Sequence, residues 1–83
     1  MAHFDQTDTY TKVVDIISEV LTIDKSTITI DSTFESLGAD SLDMLEIIMK
    51  IEETFGIEIP DDESARITSI AQAVEKIQAV RTK

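Results

Sequence analysis

Asp40-Ser41-Leu42-Asp43-Met44-Leu45-Glu46-Ile47-Ile48-Met49-Lys50-Ile51-Glu52-Glu53-Thr54-Phe55-Gly56 is the best-defined segment of the chain. It has a capping residue at its start in Asp40 or Ser41, and from Leu42 to Phe55 it holds neither Gly nor Pro. Gly56 then suits the left-handed position that follows a helix end. These signals predict a helix. At about 100° per residue, Met44, Ile47, Ile48, Ile51 and Phe55 share one arc, wide enough to face a core. Leu42, Leu45 and Met49 fall on a second arc, bounded by Glu52 on one edge and by Glu46 and Glu53 on the other. A small domain has no evident use for that second arc inside. Either the first helix or the long loop covers it, or it stays open as an apolar strip rimmed with carboxylates. The open form suits transient docking, in which charge steers the encounter and buried apolar groups hold it. Lys50 stands four residues after Glu46, where a local ion pair is expected.

Working outward, Tyr10, Val13, Val14, Ile17, Val20 and Leu21 recur at three and four and predict a helix over residues 9–22, with Thr7 or Asp8 as its cap. Residues 23–40 form a long connection rich in Thr, Ser and Asp. Ile28, Ile30, Phe34 and Leu37 are the points at which it should be pinned to a core. Beyond Gly56, residues 57–60 read as a short extended link. Asp61, Asp62 and Glu63 favour the positive end of a brief third helix reaching Arg66. A last helix is expected over residues 69–80, with Ser69 and Gln72 at capping-box spacing and Ile70, Val74 and Ile77 on one face. The expected fold is all-α: a small four-helix bundle of three longer helices and one short one, with a long loop between the first and second. Residues 1–83 form a single domain, with 1–7 frayed and 81–83 a tail.

Composition narrows the function. A chain of 83 residues supports one domain with a modest core. The absence of cysteine removes disulfides, a thiolate nucleophile and any sulfur-ligated zinc, and points to a reducing compartment such as the cytoplasm, with an organellar matrix also open. No basic leader precedes an apolar run, and nowhere do about 18 apolar residues follow one another, so stable membrane insertion is not expected. The net charge of −10 argues against nucleic acid and anionic membranes and for partners with basic surfaces. Nine of the seventeen carboxylates lie between Asp40 and Glu63, where Lys50 is the single cation. No Asp-x-Asp-x-Asp-Gly calcium loop is present, and no metal site is expected.

Ser41 reads as a target of chemistry and not as a catalyst. A nucleophilic serine needs a base, and the only histidine is His3, at the N-terminus. The carboxylates around Ser41 would oppose an alkoxide, and no Gly-x-Ser-x-Gly elbow is present. A helix N-terminus does hold anions well, so a phosphodiester on Ser41 would be tolerated despite Asp40 and Asp43. The plain alternative is that Ser41 merely caps or begins the helix.

The run Leu37-Gly38-Ala39-Asp40-Ser41-Leu42-Asp43, then Ile51-Glu52-Glu53-Thr54-Phe55-Gly56 and Glu58-Ile59-Pro60-Asp61-Asp62-Glu63, closely resembles the acyl carrier proteins of dissociated fatty acid synthases. The resemblance extends in order and spacing from Tyr10 to Ile77. It implies that Ser41 receives 4'-phosphopantetheine from coenzyme A through a separate magnesium-dependent phosphopantetheinyl transferase. The terminal thiol of that arm would carry acyl groups as thioesters, and the chain itself would be a monomer and no enzyme. By the same resemblance, Asp40, Asp43, Glu46, Glu52 and Glu53 would pair with Arg and Lys of the acyl-transfer, condensing, reducing and dehydrating enzymes. Leu42, Leu45 and Met49 would make the apolar contact, and Phe34, Leu37, Met44, Ile47, Ile51, Ile59, Ile67 and Ala73 would line an acyl-chain cavity. Two departures stand out: the loop from Phe34 to Leu37 is one residue shorter than usual, and Lys50 replaces a small neutral residue. They leave open a specialised carrier for a polyketide, a lipopolysaccharide or one dedicated acyl transfer. A non-carrier acidic interaction module is the remaining alternative.

Overall fold

The computed structural model describes residues 6–81. Its four helices are α1 (Gln6–Leu21), α2 (Ser41–Phe55), α3 (Asp61–Ser64) and α4 (Ile70–Arg81), and a 3-10 turn, Lys25–Thr27, lies in the long loop. The all-α bundle with one short helix is as the sequence predicts. α1 starts three residues earlier than its periodicity suggests, which puts Thr7 and Asp8 inside the helix and not at its cap. The expectations for residues 1–5, His3 among them, and for residues 82–83 lie outside the described residues.

α1 is the hub. α2 and α4 both pack against it and have little contact with each other. Val13 and Ile17 of α1, Ile47 and Ile51 of α2, and Ile70, Val74 and Ile77 of α4 are sealed from solvent. Each fully buried side chain of that kind contributes roughly 1.5–3 kcal/mol. Ile16, absent from the predicted stripe, is also buried, while Met44 and Phe55 at the two ends of the α2 stripe are only half-buried. Among the described residues Thr9 is the buried polar side chain of the core, and its hydroxyl donates to Gln78 Oε1 at 2.6 Å, tying α1 to α4.

The long loop is pinned by backbone as much as by side chains. Phe34 N–H donates to the Thr68 carbonyl and Ile70 N–H to the Ser32 carbonyl, each at 3.0 Å, which joins the loop to the start of α4. Ile28 and Phe34 are buried as anchors and Leu37 is half-buried. Ile30 is not an anchor: it is 42% exposed, in a turn closed by Ser32 N–H donating to the Thr29 carbonyl. Within the 3-10 turn, Asp24 accepts from Ser26 N–H at 3.0 Å, which holds the Asp24 carboxyl below its ordinary range. Lys25 pairs with Asp15 at 2.6 Å, which raises the lysine. α4 begins with the predicted capping box, Gln72 N–H to Ser69 Oγ at 3.2 Å and Ser69 N–H to Gln72 Oε1 at 3.1 Å.

Candidate functional site

Asp40 N-caps α2: its carboxylate accepts Asp43 N–H at 2.8 Å, and Asp43 Oδ2 accepts Asp40 N–H at 3.2 Å. The Asp40 carbonyl takes Met44 N–H. Of the four N–H groups that a helix start leaves over, those of Ser41 and Leu42 remain open among the described residues. At the other end Gly56 holds the helix stop at φ 65°, a conformation that costs glycine little. This box fixes where Ser41 stands. It is the first helical residue, exposed, and among the described residues its hydroxyl makes no hydrogen bond.

Beside Ser41 opens a cleft of about 690 Å³ between the long loop, α2 and the segment around α3. Phe34, Met44, Ile59 and Ile67, four of the expected cavity residues, line it. Leu37, Ile47, Ile51 and Ala73 do not, because Ile47, Ile51 and Ala73 are sealed in the packed core and Leu37 lies against it. Ile48, buried in the core as helical periodicity predicts, also borders the cleft. A stripe identifies a buried face but not which part of that face borders a gap.

On the outer side of α2, Leu42, Leu45 and Met49 are 73%, 58% and 52% exposed, so neither α1 nor the loop covers them. Leu45, Met49 and Glu52 also form the edge of the cleft, so strip and cleft are continuous. Among the described residues, Asp40, Asp43, Glu46 and Glu53 have no ion-pair partner. Lys50 does not pair with Glu46 but reaches Glu19 of α1 at 3.6 Å, because the half-buried lysine turns toward the helix it packs on. Glu52 is a half-buried member of the rim and accepts Ile59 N–H at 2.8 Å. No sequence signal marks that bond, since it joins residues in two different elements.

Residues 11–77 match the family model described as "Phosphopantetheine attachment site". An acyl carrier protein of Guillardia theta is 50% identical over 74 residues, covering 88% of this chain and 91% of the relative. Acyl carrier proteins of Clostridium acetobutylicum and Lactobacillus johnsonii are 46% and 44% identical, each over 84% of this chain and 92% and 89% of theirs. The chain belongs to the acyl carrier protein family. Like that family, this carrier works with covalent 4'-phosphopantetheine. The site suits the group in three respects. An exposed serine hydroxyl is free to be esterified, two open N–H groups and the helix dipole favour a phosphodiester there, and an apolar cleft adjoins it. Among the described residues the carrier has no helix long and apolar enough to cross a membrane, and no cluster of three metal-ligating side chains.

Proposed function

We propose that Ser41 is the residue esterified by 4'-phosphopantetheine, and that the chain serves fatty acid synthesis as a carrier with no catalytic activity of its own. The observation that carries the reading is an unbonded hydroxyl on the first residue of a capped helix, between an open cleft and an exposed apolar strip. When bound, the group supplies a terminal thiol that holds acyl groups as thioesters. The chain's part is presentation. Asp40 and Asp43, engaged in the capping box, keep the serine at the helix head, and neither is bonded to its hydroxyl as a base. Leu42, Leu45 and Met49 offer the surface on which partner enzymes land. Asp40, Asp43, Glu46, Glu52 and Glu53 draw the basic patches of those enzymes and of the transferase. Phe34, Met44, Ile48, Ile59 and Ile67 shelter the acyl chain in the cleft. The cytoplasm is the compartment that fits a cysteine-free acidic chain.

The reading is tested by incubating the chain with coenzyme A, magnesium and a broad-specificity phosphopantetheinyl transferase, then with a malonyl transacylase of fatty acid synthesis. It requires one modification on Ser41 followed by malonyl loading. An arm on another residue, or no loading after the arm is attached, contradicts it.

A further inference from the structure

α3 is the least anchored of the helices. It is four residues long, no side chain caps its start, and among the described residues it has only slight contact with any other helix. Yet Ile59, Asp61, Ser64, Ala65 and Ile67, in and around it, make one wall of the cleft. Among the described residues, two side-chain links tie residues 59–64 to other helices, and just past them Gln72 of α4 accepts Thr68 N–H at 2.8 Å. Lys76 of α4 pairs with Glu63, but both groups are about a third exposed, at 32% and 37%, and pairs of that kind hold weakly. Glu52 of α2 accepts Ile59 N–H at 2.8 Å. This second link is the stronger in kind, because a charged acceptor meets a backbone donor of a buried residue. Pro60 follows at once with a fixed φ, and α3 begins at the next residue. Movement of Ile59 is therefore passed to α3 through a short, stiff run of chain.

We propose that Glu52 is a positioning residue whose carboxylate latches Ile59 to α2 and so keeps α3 in place as the closed wall of the cleft. The latch belongs to the bare polypeptide, so it stands or falls independently of the assignment of Ser41.

Amide hydrogen exchange of the unmodified chain, followed by NMR, tests it on Glu52→Ala, on Glu52→Gln and on Glu53→Ala, the last removing the same charge one residue away. In Glu52→Ala, exchange at Ile59 rises on the order of tenfold, as expected for loss of a hydrogen bond to a charged group. The Ala65, Arg66 and Ile67 amides rise with it, and those of Val13, Ile17 and Ile47 keep their wild-type rates. Glu52→Gln, which retains an uncharged acceptor, gives a smaller rise in the same amides, and Glu53→Ala gives none. The proposal is overturned if Ile59 accelerates alone, if Glu53→Ala has the effect of Glu52→Ala, or if both Glu52 variants speed exchange equally in every helix.

Discussion

On the side of α2 that meets α1, Ile47 and Ile51 are sealed from water, and around the same helix Leu42, Leu45 and Met49, of similar size and polarity, stand in solvent. The two faces differ in their neighbours and not in their chemistry. α1 lies against the first, and no described segment covers the second. Charge divides in the same way. Each of the four described lysines, Lys12, Lys25, Lys50 and Lys76, is paired, and its acidic partner lies on α1 or α3. The carboxylates beside the exposed strip, Asp40, Asp43, Glu46 and Glu53, are left without a cation among the described residues. One face of the helix is buried in folding, and the other is the face proposed above for docking.

Truncations on the two faces give the widest separation. Ile47→Ala is expected to cost about 2–5 kcal/mol in urea unfolding, because a sealed side chain leaves a cavity, and in so small a domain that can abolish folding. Leu45→Ala is expected to stay within about 0.5 kcal/mol of wild type. Its effect should appear instead as weaker binding to a partner enzyme. Equal losses of stability for the two variants would erase the contrast between the faces.

The next effect lies where the faces meet, at the head of the helix. Asp40→Ala removes the capping box and is expected to cost about 0.5–2 kcal/mol by the same measurement. Modification of Ser41 should also slow, since the serine's place depends on that cap. A variant with full stability would show that the box does not hold the helix start.

The smallest effect belongs to the folded core's own perimeter. The Asp24 carboxyl is held below its ordinary 3.8 by hydrogen bonds from Ser26. A carboxyl so depressed adds stability that is present above its unfolded pKa and is lost as pH falls through the folded one. Thermal unfolding measured between pH 5 and pH 3 should therefore show a slightly shallower acid loss in Asp24→Ala than in wild type. Identical acid slopes would mean that this bond does not persist in solution.

Much of this division was legible in the residues, for identifiable reasons. The bounds of α2 followed from Asp40 and Gly56, because caps are local chemistry, and the two arcs followed from its helical period. What failed depended on chain brought in from elsewhere. Ile30 carries an anchor's side chain but sits in a turn that faces water. Lys50 had a partner at the right spacing and chose Glu19 on another helix. Which core residues border the cleft was not legible either: Ile47, Ile51 and Ala73 are sealed away from it, and Ile48, buried as its period predicts, also lines it. The start of α1 was missed because its first turn carries polar residues that give periodicity nothing to read.

Intact-mass spectrometry of the wild-type chain and of Ser41→Ala, each treated with coenzyme A and a phosphopantetheinyl transferase, tests the central claim most directly. Wild type should gain the mass of one arm, localised by fragmentation to Ser41, while Ser41→Ala stays at its starting mass with its fold intact. A Ser41→Ala chain that still takes the arm, or a wild type that takes none, would contradict the account.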